Sequence, residues 1–136
     1  MRVAIGIEYA GNAFEGWQTQ PHGRTVQDFL ERALAQIAQA PVKLVCAGRT
    51  DTGVHAKEMY AHFDFAPLFD IPNLVHKLNS FLPKDIVIYT IIPVHDEAHT
   101  RFDATKRTYE YHIHQFKNPF LNEWSWYFHQ PLDVDL

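Results

Sequence analysis

Cysteine is almost missing from this chain. Cys46 is the only one, so no internal disulfide forms. That usage suits a reducing compartment, and a cytoplasmic location is the expectation. Cys46 sits in the run VKLVCAG and reads as a small buried side chain. No apolar run is long enough to span a bilayer, so no membrane partner is expected. The opening MRVAIGIEYAG lacks the apolar core and small-residue cleavage site of a secretory signal. Basic residues are also short. Twelve Lys and Arg stand against sixteen Asp and Glu, a formal net charge of −4. This argues against a broadly basic nucleic-acid-binding face, so any such contact needs a local patch, further chain or a second subunit. The nine histidines add little charge at neutrality. There is no Cys pair and no His-Glu-x-x-His pattern, so His55, His62, His112 and His114 do not suggest a metal site.

What is present fits one ordinary domain. The chain has 136 residues, 46% hydrophobic and 21% charged, which is a globular composition with enough length for a core. Aromatic residues reach 14%, enough to leave rings for stacking or an interface. No internal repeat stands out.

Along the chain, residues 2–9 alternate like a half-buried strand. GNAFEGWQTQPHGR then reads as a loop. Thr25 opens a helix, and Thr25 with Asp28 forms a capping box with a shorter acid than usual. Val26, Phe29, Leu30, Ala33, Leu34, Ile37 and Ala38 make its apolar stripe, and Pro41 marks its end. Residues 42–47 read as a second strand and YAHFDF (60–65) as a third. Pro72 suits the first turn of a second helix that Pro83 stops. IVIYTIIPV (86–94) is a β-branched strand, TYEYHIHQF (108–116) another, and WSWYFH (124–129) a sixth. Two helices are too few for a doubly wound sheet. The expected fold is α/β of the α+β kind: a mixed, largely antiparallel sheet with both helices on one face.

The segment that can carry chemistry is AGRTDTGVHA, residues 47–56. Gly48 and Gly53 bracket a tight turn between apolar strands, a favoured setting for reactive groups. Arg49 and Asp51 lie two apart, so in an extended segment they share a side. The cation there favours an ionised carboxylate, able to act as nucleophile or base. By spacing alone the segment also reads as an ordinary surface turn with an ion pair.

GRTDTGVHA resembles the signature of the tRNA pseudouridine synthases of the TruA family, with Asp51 on the catalytic aspartate. Four further blocks resemble that family in order: YAGNAFEGWQ (9–18), TVQDFLERAL (25–34), LNSFLPKDI (78–86) and RFDATKRTYEY (101–111). The last puts Tyr109 on the family's active-site tyrosine. The chain departs from the pattern at Ala10, where the family has Asp. It departs again at Ala98 and Thr100, where the family has Phe and Ala beside the retained His99 and Arg101. The family's second half, a helix followed by a Gly-x-His-Asp-Phe block, is not present. The final QPLDVDL resembles the lead-in to that helix, so residues 1–136 are expected to be the N-terminal half of the catalytic region.

The resemblance implies a pseudouridine synthase-like fold and isomerisation of uridine to pseudouridine in the anticodon stem–loop of tRNA. It implies no cofactor and a homodimer. Asp51 is the implied catalytic carboxylate, adding to C1′, adding to the base or removing a ribose proton. Arg49 is implied to fill the space of the flipped base or bind flanking phosphates, and Tyr109 to stack on uracil or help remove the C5 proton. By alternation alone, Tyr109, Tyr111 and Ile113 share a face and read as core. Arg101, Lys106 and Arg107 are candidates for RNA phosphates, or a solvated turn. Competing readings are a non-catalytic RNA-binding module, an interaction domain with an idle Asp51, and a carboxylate-dependent hydrolase. The last lacks a second acid in the catalytic segment.

Overall fold

A computed structural model describes residues 1–65 and 70–133. It divides into a main unit, residues 1–105, and a smaller one, residues 106–136. The last three residues of the QPLDVDL segment lie outside the described residues.

The main unit contains β1 (Arg2–Tyr9), α1 (Val26–Ala38), β2 (Val45–Cys46), β3 (Ala56–Asp64), α2 (Ile71–Phe81) and β4 (Ile86–Val94). Its four strands form one antiparallel sheet in the order β2-β3-β1-β4. The alternation of β1 works as the sequence suggests. Val3, Ile5, Ile7 and Tyr9 are buried in a single core with Leu30 and Leu34 of α1 and Leu74 and Leu78 of α2. Both helices therefore cover one face, in the α+β arrangement expected. Tyr60 and Tyr89 meet edge-to-face, with their rings 6.2 Å apart, and are partly exposed. A register shift between Gly6 and Ile7 lets Ile88 and Ile91, three residues apart, both turn inward.

Local chemistry sets the helix ends. The Thr25 hydroxyl accepts the Asp28 N–H at 3.2 Å, and the Asp28 carboxylate accepts the Thr25 N–H, completing the capping box. Gln39, at φ 58°, ends α1 before Pro41. Pro72 lies in the first turn of α2. Asn79 on α2 then ties the helix to the sheet. Its amide donates to the Ile88 carbonyl at 2.9 Å and accepts the Ile88 N–H at 2.8 Å.

Three strands are shorter than their composition suggests. The strand expected at 42–47 is reduced to Val45–Cys46, because only these residues pair with β3. In the smaller unit, 108–116 and 124–129 contract to β5 (Ile113–His114) and β6 (Trp126–Tyr127), which pair in parallel. Alternating aromatic residues favour a strand only where a neighbour supplies hydrogen bonds and burial. Among the described residues, no strand pairs with 108–112. Tyr109, Tyr111 and Ile113 are accordingly exposed rather than core. His114 is the buried residue here, with its Nδ1 at 2.9 Å from the Ser125 hydroxyl and its ring stacked on Tyr127. Trp17 is buried, Trp124 and Trp126 are exposed, and Cys46 is half-buried rather than fully enclosed. Among the described residues no helix is long and apolar enough to cross a membrane.

Candidate active site

Asp51 sits on the connection from β2 to β3. Its carbonyl accepts the Val54 N–H at 3.1 Å, closing a turn in which Gly53 takes φ 84°. Only glycine adopts that conformation without strain, which accounts for the second glycine of the motif. The Asp51 side chain is exposed, and so is that of Arg49. Among the described residues no ion pair joins the two.

The turn is held from behind by residues 9–18. The Tyr9 hydroxyl lies 2.7 Å from the Thr50 hydroxyl. The Trp17 N–H donates to the Thr50 carbonyl at 3.1 Å, and the Gly11 N–H donates to Nδ1 of His55 at 2.8 Å. Nδ1 of His55 is thus the acceptor in this contact. These contacts flank Asp51 on both sides. Two glycines make the approach possible. A Cβ on Gly11 would lie 1.8 Å from the Val54 carbonyl oxygen. One on Gly16, whose φ is 81°, would lie 2.8 Å from the Thr50 carbonyl oxygen.

The same loop continues into α1. The Gly16 and Trp17 carbonyls accept the Val26 and Gln27 N–H groups at 3.1 and 3.0 Å, satisfying donors that a helix start leaves open. The Gln27 side chain returns the contact by accepting the Thr19 N–H at 3.0 Å. The first three sequence blocks therefore form one hydrogen-bonded junction under the Asp51 turn. Burial of the Tyr9 phenol pushes its pKa up to about 12, so it serves this junction as a neutral group.

Arg101 belongs to the segment after β4. Its charge and that of Arg49 both act on the Cys46 thiol, favouring the thiolate, while burial dominates and raises the thiol's pKa. Arg101 follows Thr100, whose hydroxyl donates to the Val45 carbonyl of β2 at 3.0 Å. Lys106, Arg107 and Tyr109 lie in the smaller unit, all exposed, with Tyr109 at 68%. Of the six candidate residues, Arg49, Asp51 and Arg101 thus belong to one unit and the other three to the second. Among the described residues, no group of three or more His, Cys, Asp or Glu could hold a metal ion.

The sequence places Tyr9, Gly11 and Gly16 in the block 9–18 but does not show their support of the Asp51 turn. A detectable signal was two glycines in a loop too long for a tight hairpin, each marking a close approach of backbone. Thr100 was visible only as a departure from the family pattern.

A family model described as tRNA pseudouridine synthase matches residues 5–103. A protein named tRNA pseudouridine synthase A from Parabacteroides distasonis is 54% identical over 123 residues, which is 90% of this chain and 49% of that protein. One of the same name from Paraburkholderia xenovorans is 48% identical over 136 residues, 98% of this chain and 50% of its own. Another, from Burkholderia cenocepacia, is 45% identical over 137 residues, 99% of this chain and 51% of its own. The chain spans about half the length of the curated relatives it matches.

Proposed function

Because the chain belongs to the tRNA pseudouridine synthase family, we propose that it is the N-terminal half of an enzyme that isomerises uridine to pseudouridine in the anticodon stem–loop of tRNA, with Asp51 as the catalytic carboxylate. One observation carries the reading from the structure's side. Asp51 is solvent-facing on a turn whose two flanks are fixed by Tyr9, Gly11 and Trp17. A reactive group offered to a large substrate needs this combination of access and a rigid support.

The reaction breaks the bond from C1′ to N1 of uracil and forms one from C1′ to C5. The C5 proton leaves and N1 gains one, so the net change is an isomerisation. No electron or phosphoryl group is transferred, and no cofactor forms part of the reading. The base must first leave its stack, which costs a few kcal/mol in a paired stem. Asp51, two residues from Arg49, serves as nucleophile or base on the sugar–base unit. Arg49 takes the space of the departed base or a flanking phosphate, where a guanidinium makes paired charge-assisted bonds. Tyr109 stacks on the uracil or assists removal of the C5 proton. Arg101, Lys106 and Arg107 contact RNA phosphates. A homodimer and a cytoplasmic location belong to the same reading and rest on the family likeness alone.

The test is pseudouridine formation in an unmodified tRNA by the protein carrying this sequence, compared with Asp51→Asn. The substitution keeps the shape and removes the charge. Loss of at least about a thousandfold in turnover is expected for a group acting directly on the reacting atoms. Turnover close to the parent's excludes Asp51 as the catalytic carboxylate.

A further inference from the structure

Before Arg101 in the chain lies a polar cluster around one buried imidazole that the chemistry above does not use. His62, on β3, is only 3% exposed. Its Nδ1 accepts the Thr100 N–H at 3.2 Å and lies 3.0 Å from the Thr100 hydroxyl. That hydroxyl donates in turn to the Val45 carbonyl on β2 at 3.0 Å. The His99 ring packs edge-on against His62 at 4.7 Å. Its own Nδ1 accepts the N–H groups of Arg101 and Phe102 at 3.2 and 3.1 Å. The backbone that carries Arg101 is thus bonded on both sides to imidazoles, and the pair rests on His62. The exposed Arg101 thus follows a residue tied to β2, and the exposed Arg49 lies three residues beyond Cys46, the last residue of that strand.

Two exposed arginines on segments joined to one short strand of an acidic chain suit a phosphodiester, provided their carriers are fixed. We propose that His62 is a positioning residue that, through Thr100, sets Arg101 beside Arg49 to receive a tRNA backbone phosphate at the end of β2 that leads into the Asp51 turn. The inference rests on the tRNA-modifying reading and adds to it a buried residue of β3.

The arrangement carries its own pH dependence. Nδ1 must accept the Thr100 N–H, and a protonated imidazole has no lone pair to do so. The charged groups facing His62 are Arg2 on β1, Asp64 on β3, and His99 and Asp103 on the segment after β4. Burial, Arg2 and His99 oppose protonation and outweigh the two carboxylates. His62 is therefore neutral at physiological pH, and acidification releases the Arg101 segment.

Two measurements test this. Amide hydrogen exchange at Thr100 and Arg101 needs no RNA. His62→Phe should speed it about tenfold, the scale of one lost backbone hydrogen bond. His62→Asn, which keeps an acceptor near the Nδ1 position, should restore protection and remove the acid sensitivity. Unchanged exchange in His62→Phe overturns the proposal. Where that variant does not fold, Thr100→Val, which loses only the hydroxyl, should speed exchange at Arg101, and its failure to do so counts equally against the idea. Binding of an anticodon stem–loop transcript supplies the second arm. Arg101→Ala should weaken it about tenfold and lower the salt slope by about one. His62→Phe should do the same in the parent and add nothing in the Arg101→Ala background. Additive losses would make His62 merely structural. No stem–loop binding by the parent overturns the tRNA reading and the phosphate role together, while the exchange data still decide whether His62 holds the segment.

Discussion

The hydroxyl of Tyr9, at the end of β1, lies 2.7 Å from that of Thr50, the residue before Asp51. The last residue of the first strand therefore holds the candidate catalytic turn directly. Tyr9 is buried, and replacing it by Phe leaves the half-buried Thr50 hydroxyl without this partner. Tyr9→Phe should cost about 1 kcal/mol in chemical denaturation, the usual net worth of one hydrogen bond. Because the ring stays in place, catalysis should fall through kcat more than KM, since the turn loses its alignment rather than its RNA contacts. An unchanged kcat would show that the Trp17 and Gly11 contacts suffice.

The same phenol predicts behaviour at alkaline pH. Burial raises its pKa to about 12 from an ordinary value of about 10. The folded state holds the proton more tightly than the unfolded chain does. Its contribution is complete below about pH 10 and is lost as pH rises through about 12. A denaturation series from pH 8 upward should show the parent losing stability faster than Tyr9→Phe, which has no phenol to ionise. Parallel curves would contradict the assignment.

Gly11→Ala tests the close approach of the two loops. The added Cβ would meet the Val54 carbonyl oxygen at 1.8 Å, and backbone on both sides leaves no flexible atom to yield. Separation of the loops also breaks the Gly11 to His55 bond. The expected loss is ~3 kcal/mol of stability, at the upper end of overpacking costs, with loss of activity. Gly53→Ala makes the useful contrast. Nothing lies within 4 Å of its would-be Cβ, so only the φ of 84° is strained and the loss should be about 1 kcal/mol. Comparable losses at the two positions would mean that backbone conformation, not contact, sets the requirement.

What the sequence made legible was whatever local chemistry decides. Thr25 and Asp28 set the start of α1, Pro72 and Pro83 bounded α2, and the β-branched run 86–94 became β4 residue for residue. The Asp51 turn was legible as a motif because glycine at 53 is a backbone requirement. Its support was not legible, because Tyr9 and Thr50 are 41 residues apart and nothing in either neighbourhood names the other. The same limit explains residues 108–116. Their alternation records a strand's composition, but only Ile113 and His114 find a partner strand. Asn79 shows a third case. It stands in the block 78–86 without a stated role, and contact alone makes it the link to Ile88.

Asn79→Ala should therefore be costly for a surface-sized change. It leaves the Ile88 N–H and carbonyl without their partner in a residue that is 1% exposed. Orphaned buried backbone groups cost ~2 kcal/mol, against about zero for an unbonded surface amide. Asn79→Asp separates the two halves of the interaction, since a carboxylate accepts the N–H but donates nothing to the carbonyl. Thermal unfolding should rank the parent first, Asp next and Ala last. Equal melting of Ala and parent would mean that water replaces the amide.

Tyr109 separates two roles that the family likeness leaves open. Its ring is 68% exposed, on a stretch with no strand partner among the described residues, so no core contact depends on it. Substitutions there should leave the melting temperature within about 1 °C, a surface-sized effect. Tyr109→Phe keeps the face for stacking and removes the hydroxyl, whereas Tyr109→Ala removes both. If the ring only stacks, Phe should retain most activity and Ala should lose about ten- to a hundredfold, the worth of one base–aromatic contact. If the hydroxyl assists departure of the C5 proton, Phe should lose about as much as Ala. Deuterium at C5 of the uridine should then slow the Phe variant more than it slows the parent, because proton removal has become limiting. High activity in both variants would detach Tyr109 from the proposed site.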